Sequence, residues 1–351
     1  MKILINGDFY CRSITGIGRF STMVCKYIDE LDTSIEFSIL IPKSCQNKPV
    51  FNKIKVIEHP TYVNRIFWQQ IILPFYSKKD KMKVLDFSNS LPIFSHGFVV
   101  LHDIFYEVCK KEIKGFSEWL KGVYFRLMYR IVSKNAELIF TVSETSKKQI
   151  HDYLGISEDH IKVVYNGWEQ YKNIEIDDSI FDTYTNLKKG NYYFSLGSLA
   201  KNKNLKWVLD YASKNPTQVF VITGKPLAFS SNNIQKENLV NVFFTGYLPD
   251  GQVKSLMTNA KAFIFPSTYE GFGVPPMEAL STGVPVVVSD IPVLKEIYGN
   301  SVYYINPYNT NISIDEILKK NIVSADNVLE KFTYKNTTLE LLKQLELFNE
   351  N

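Results

Sequence analysis

Two carboxylates with seven residues between them, Glu270 and Glu278, form the spacing in this sequence that most directly suggests chemistry. Gly271, Phe272, Gly273 and Val274 follow the first, and Pro275 and Pro276 precede the second. Glycines let bare backbone N–H groups approach a ligand, and a helix start adds favourable potential for an anion. Two acids beside an anion site make little sense for phosphate alone. They make sense for a ligand whose hydroxyls need acceptors next to a phosphate, as a nucleotide sugar has.

The elements that must position these residues are legible around them. Ala262 to Phe265 is a short apolar run suited to a buried strand. Pro275 and Pro276 suit a first helical turn, where a missing amide costs nothing, and Met277 to Leu280 continues as helix, placing Glu278 in that first turn. Gly283 closes the helix and Val286 to Val288 supplies the next strand. The result is a parallel βαβ unit with its loop at the carboxyl edge of the sheet, where such sheets bind ligands.

Residues 266–280, PSTYEGFGVPPMEAL, resemble the signature of the retaining, metal-independent glycosyltransferases of the GT-B fold, family four. The resemblance covers nearly the whole chain and is more specific in its second half. It implies an α/β protein of two Rossmann-like parallel-sheet domains facing across a cleft. Residues 1–170 would bind the acceptor and 171–333 the nucleotide-diphosphate sugar, with the helix 334–349 packing back on the first domain. The implied reaction moves a hexose to a glycan or lipid-linked glycan acceptor with retention, in surface polysaccharide synthesis, with no metal or other cofactor. No Asp-x-Asp metal motif is present.

Roles follow from the same resemblance. Glu270 would orient the sugar hydroxyls and Glu278 would accept from the ribose. Lys203, the backbone of Gly271, Phe272, Gly273 and Val274, and the amide of Gly16 would hold the diphosphate. Tyr247, after the strand Asn241 to Thr245 and Gly246, lies where the family reads the nucleobase. His102 and Asp103, at the end of the strand Phe98 to Leu101, would face the reacting sugar and the acceptor. The family carries an arginine–lysine pair within the segment Ser198 to Leu205. Here Asn202 stands at the arginine position, with Lys201 beside it, and the two cations differ for bidentate phosphate contacts. Two alternatives share the architecture: a sugar-nucleotide epimerase, which needs no acceptor, and an inactive partner subunit, for which Asn202 is the best support.

The remaining features set bounds. The 351 residues are about two domains' worth, and a net charge of +4 points to neither bulk nucleic-acid binding nor an acidic tail. Cys11, Cys25, Cys45 and Cys109 lack paired metal spacing and read as buried reduced thiols of a cytoplasmic protein. No signal peptide precedes the first strand, Lys2 to Asn6, and no apolar run is long enough to span a bilayer. The Gly7 to Gly18 loop contains Thr15-Gly16-Ile17-Gly18-Arg19, and Val219 to Thr223 runs into a Gly224-Lys225 turn. Trp168 to Gly190 is polar, acidic and aperiodic and reads as the interdomain linker plus an approach segment to the second domain. Arg65 to Pro74 reads as an amphipathic helix ending at the proline, followed by Lys78, Lys79, Lys81 and Lys83. A second helical region mixes Lys110, Lys111, Lys114, Trp119, Lys121, Tyr124, Phe125, Arg126 and Arg130. Basic and aromatic residues together mark either peripheral contact at the inner face of a membrane or solvated helices with a core stripe.

Overall fold

Seven short runs rich in Ile, Val, Leu and Phe build the first sheet: β1 (Lys2–Asn6), β2 (Glu36–Pro42), β3 (Lys55–His59), β4 (Lys83–Asp86), β5 (Gly97–Leu101), β6 (Ala136–Thr141) and β7 (Ile161–Val163). In the computed structural model, which describes residues 1–12, 15–61, 64–197, 200–224 and 239–350, all pair in parallel in the order β3-β2-β1-β4-β5-β6-β7. Ser13, Ile14, Ser198, Leu199 and Lys225 of the motifs above lie outside the described residues. Central strands of such a sheet are covered on both faces, so they read as continuous apolar runs; Ile3, Leu4 and Ile5 are all inaccessible to solvent.

A second sheet comprises β8 (Tyr192–Leu196), β9 (Val219–Thr223), β10 (Val242–Gly246), β11 (Ala262–Phe265), β12 (Val286–Ser289) and β13 (Tyr303–Ile305), in the order β10-β9-β8-β11-β12-β13. Each sheet starts in its middle, grows outward one way, then restarts on the other side of its first strand. This is the doubly wound pattern, and it creates a switch point between β1 and β4 and another between β8 and β11. The sheets belong to two units, one formed by Met1–Gly167 with the chain from Phe332 on, the other by Trp168–Lys331. Each has its own core. Leu4, Trp68, Val84, Leu101 and Val132 cluster in the first. In the second, Trp207 stacks on Tyr211 at 5.2 Å among Tyr193, Phe220, Ile264 and Val287.

The helix Tyr334–Glu350 completes the first unit. Tyr334 meets Phe20 edge to face at 6.0 Å, Phe348 meets Phe98 at 5.4 Å, and Thr33 donates to Glu346 at 2.7 Å. These contacts place the helix against Gly16–Glu30 and the base of the sheet.

Three local expectations are corrected, and one strand has little mark in the sequence. The helix begun at Arg65 does not end at Pro74. It passes through a π-helical turn, Trp68–Ile72, in which the Leu73 amide donates to the Trp68 carbonyl, and continues as Leu73–Lys79. The wide turn takes up the register around the proline, which sits at the start of the new α-helical segment. Strand β4 went unread because Lys83 and Asp86 flank only two apolar residues, Val84 and Leu85. Cys11 and Cys45 form a disulfide, Cα atoms 4.8 Å apart. Parallel pairing of β1 with β2 brings the segments after both strands to one edge, a proximity that spacing along the chain hides. Cys25 and Cys109 stay free and buried, and burial pushes the Cys109 thiol up to about 12. Finally, Trp168 to Gly190 belongs to the second unit from its first residue and is not a linker between the two. The Trp168 indole donates to the Leu329 carbonyl at 2.9 Å, and Lys254 Nζ reaches the carbonyls of Tyr171 and Ile174 at 2.9 and 2.7 Å.

Gly97 shows how closely β4 and β5 approach. A Cβ there would lie 2.1 Å from the Val84 carbonyl oxygen. Gly97→Ala is expected to lower stability by about 2–3 kcal/mol, as overpacking against backbone does. The test is the denaturant midpoint, and an unchanged midpoint would refute the tight approach.

Candidate functional site

The carboxyl ends of β8 and β11 are neighbours at the switch point of the second sheet, and the segments leaving them carry Lys203 and Glu270. Beyond β8 the backbone forms one 3-10 turn, Lys201–Lys203, and stops at Asn204 in the left-handed region, φ 52°. An asparagine tolerates that region better than most side chains. Its side-chain amide then donates to the carbonyls of Pro266 at 3.0 Å and Pro307 at 2.8 Å, tying together the segments after β8, β11 and β13. Asn202 adds a second tie. Its amide donates to the Tyr269 carbonyl at 2.9 Å, and its own carbonyl accepts from the Thr268 amide at 2.7 Å.

Lys203 lies between these two asparagines in sequence. Its Nζ sits 2.7 Å from Glu270 Oε1 and 5.2 Å from the centre of the Phe265 ring. The side chains are 27% and 9% exposed, so the pair is largely withdrawn from water yet open enough for a ligand to reach the ammonium. The site thus uses Asn202 to fasten the glutamate loop at the position where an arginine was expected.

Gly273 ends that loop with φ 92°, a conformation that L side chains rarely adopt, so the backbone itself asks for glycine there. The helix Val274–Leu280 begins one residue before the prolines, and Glu278 accordingly falls in its second turn, not its first. Glu278 is buried, and Gln170 Nε2 donates to its Oε1 at 3.3 Å. The Tyr298 hydroxyl donates to the Gly273 carbonyl. Burial, and then the negative charges of Glu270 and Glu278, hold that phenol well above its usual range, so it remains a donor. The Phe272 side chain is buried. Tyr247, by contrast, is 79% exposed just after Gly246, whose carbonyl accepts from Thr223 Oγ1 at 3.0 Å.

Three expected residues lie in the first unit. Gly16 starts the helix Gly16–Glu30, capped by Thr15 Oγ1 accepting from the Gly18 amide at 3.2 Å. Nothing lies within 4 Å of where a Gly16 Cβ would stand, so packing does not demand glycine there. His102 packs edge-on against Phe20 at 4.8 Å, and its Nε2 lies 3.0 Å from the Phe87 carbonyl, to which it donates. Burial pulls its pKa down to about 4, so the imidazole is neutral at pH 7. Asp103 Oδ1 accepts from the Phe105 amide at 2.9 Å.

Two family models match the chain: glycosyl transferases group 1 over residues 177–335 and glycosyltransferase family 4 over residues 96–169, together about two thirds of it. The chain is a group 1 glycosyltransferase. The transferase is 25% identical over 279 residues to the O-antigen chain mannosyltransferase RfbU of Salmonella typhimurium, covering 76% of this chain and 73% of that protein. It is also 25% identical over 283 residues to the O-antigen biosynthesis glycosyltransferase WclY of Escherichia coli, covering 69% and 72%. Among solved structures, sucrose-phosphate synthase from Thermosynechococcus elongatus superposes with a TM-score of 0.71 at 16% identity over the full length of both chains. HepE of Anabaena, solved in complex with UDP, gives 0.67 at 16% over 99% of this chain and 100% of that one. These likenesses establish the GT-B fold class for the transferase.

Sequence reasoning missed three supporting residues of the transferase: Tyr298, Gln170 and Asn204. None stands at a spacing that ties it to Glu270 or Glu278; only folding brings them near. Ser267 Oγ is buried with no hydrogen-bond partner among the described residues, directly before the Glu270 loop. Also among the described residues, no group of three His, Cys, Asp or Glu side chains is placed to hold a metal ion, and no helix is long and apolar enough to cross a membrane.

The buried imidazole makes a testable statement about pH. His102 has a folded pKa of about 4 against 6.5 for the free side chain. Above pH 6.5 neither state binds the proton, and the full stability is present. As pH falls from 6.5 towards 4 the unfolded chain takes up a proton that the folded one refuses, so stability declines across that window. Denaturant midpoints measured from pH 7 to 4 should fall less steeply in His102→Gln than in the unchanged protein; equal slopes would mean that His102 is not buried neutral.

Proposed function

We propose that the chain transfers a hexose from a nucleotide-diphosphate sugar to a glycan or lipid-linked glycan with retention of configuration and without a metal, in surface polysaccharide synthesis. The Lys203–Glu270 pair at the switch point is the observation that carries this reading. The mannosyltransferases among its relatives make a mannosyl nucleotide the first donor to try. A lipid-linked acceptor would bring the protein to the cytoplasmic face of a membrane.

Cleaving the anomeric bond sends negative charge onto the departing diphosphate. Lys203 neutralises it, aided by the amides of Gly271 to Val274, while Pro275 and Pro276 contribute none. Fixed dipoles and a placed ammonium stabilise such charge without reorganising at the moment of reaction. Glu270 holds Lys203 in position and accepts from the sugar hydroxyls. Glu278 accepts from the ribose, and Tyr247 lies against the base. The acceptor hydroxyl attacks on the face from which the phosphate leaves, and a phosphate oxygen takes its proton. His102 and Asp103 then position the sugar and acceptor, a role that suits a neutral imidazole.

Metal independence is tested by chelation. Transfer should continue at close to full rate in excess EDTA. A loss beyond about tenfold, or ~1.4 kcal/mol of barrier, that magnesium or manganese restores would reject the proposal.

The two glutamates should separate by assay. Glu278→Gln is expected to weaken the bare nucleoside diphosphate by about 1–3 kcal/mol, the worth of a charged hydrogen bond. Glu270→Gln should leave that binding no weaker, because the amide releases Lys203 to the diphosphate, and should instead lower kcat with the full donor. Calorimetry with UDP, GDP, dTDP and ADP beside steady-state rates decides it. Equal losses of nucleotide affinity in both variants would overturn the assignment of sugar and ribose.

A further inference from the structure

The helix Phe116–Asn135 carries apolar residues on two opposite faces. Met128, Tyr129 and Val132 are buried in the core of the first unit. Phe116, Trp119, Leu120, Val123 and Leu127 follow the i, i+3, i+4, i+7, i+11 spacing of a second stripe, and all five are exposed. Phe116 is 76% exposed and stacks with Trp119 at 6.0 Å, so the two rings support each other in solvent. The helical run 65–79 repeats the arrangement, with Trp68, Gln69 and Leu73 inward and Ile66, Phe67, Ile71 and Phe75 outward. The loop carrying Ile93 and Phe94, both exposed, is clasped by these two helices. Gln70 Oε1 accepts from the Ile93 amide at 2.9 Å, and Asn135 Nδ2 donates to the Ile93 carbonyl at 2.6 Å. Eleven large apolar side chains thus lie on adjoining exposed elements of one unit. Monomers rarely leave so much apolar surface uncovered without a use.

Charge decides what covers it. Residues 65–83 contain five basic side chains and one acidic, and residues 110–134 contain seven and two. These segments alone exceed the chain's net charge of +4, so the rest of the molecule is net negative. Lys78, Lys79, Lys81, Lys111, Lys114 and Arg130 are all exposed. A second copy of this chain on the same face would set like charges against each other, which disfavours association. An anionic bilayer satisfies both halves of the surface: headgroups take the cations while Phe, Trp and Leu enter the acyl boundary.

We propose that this face, formed by the outer stripe of Phe116–Asn135, the outer side of 65–79 and the 93–94 loop, docks on a membrane surface rich in anionic lipid. It gives residues and an orientation to the membrane-face reading above and rests on that reading only for the kind of acceptor found there. Vesicle binding needs neither sugar nor acceptor, so the two ideas fail separately.

Trp119 provides the readout. Trp68, Trp168 and Trp207 are buried, and Trp119 is 52% exposed, so a shift of tryptophan emission on adding vesicles reports Trp119. The full chain should co-sediment with phosphatidylcholine vesicles containing 30% phosphatidylglycerol, with a blue shift that Trp119→Phe abolishes while binding persists. Partition should drop at least tenfold on pure phosphatidylcholine and again at high salt. Phe116→Ser/Leu120→Ser/Leu127→Ser should bind at least tenfold more weakly, with an unchanged denaturant midpoint because these side chains are exposed. The proposal is overturned if the unchanged protein ignores anionic vesicles at low salt, if the triple variant binds equally well, or if light scattering shows a dimer that the triple variant abolishes.

Discussion

The ammonium of Lys203 and the carboxylate of Glu270 meet at 2.7 Å where the second sheet reverses its strand order, and both are mostly shielded from water. Removing one partner of such a shielded pair typically costs about 3–5 kcal/mol, because the other charge is left without compensation. Their separation along the chain is bridged by neutral ties: Asn202 to Tyr269 and Thr268, and Asn204 to Pro266 and Pro307. The asparagines hold the backbone, and the ion pair holds the side chains.

The first unit solves the same topological problem with different chemistry. Its switch point lies between β1 and β4, and the groups that meet there are Asn6 and Asp86. Asn6 Nδ2 donates to Asp86 Oδ2 at 2.8 Å, Gln69 Nε2 donates to the same oxygen at 2.9 Å, and the Trp68 indole donates to Asn6 Oδ1 at 2.9 Å. The Asp86 carboxylate is held there by the neutral amides of Asn6 and Gln69. Asn6, Gln69 and Asp86 are all buried, so this network is internal to the first unit and holds its switch point together.

Much of this was legible from residue types. The apolar runs that became the central strands are buried on both faces, and that condition leaves a continuous signature in sequence. The Glu270 loop was legible because its glycines, prolines and acids each answer a separate local requirement, of which the left-handed Gly273 is the clearest. What could not be read depends on proximity created by folding. Cys11 and Cys45 are neighbours only because β1 and β2 run in parallel. Tyr298 serves Gly273 across 25 residues, and Asn202 serves Tyr269 across 67. The run 65–79 was cut short because a proline ordinarily ends a helix, and the π turn that evades this rule has no compositional mark.

The first unit is assembled from two stretches of chain, and the whole second unit is inserted between them. This has a consequence for synthesis. At a ribosomal rate of roughly 5–20 residues per second, the inserted stretch takes on the order of ten to thirty seconds to emerge. Throughout that interval the helix Gly16–Glu30 stands without Tyr334 against Phe20, and Phe98 without Phe348. The nascent first unit therefore carries an uncovered apolar seam while its neighbour is already able to fold. The chain reverses the usual order in which the amino-terminal domain matures first, because its first unit is complete only when Tyr334–Glu350 closes the seam.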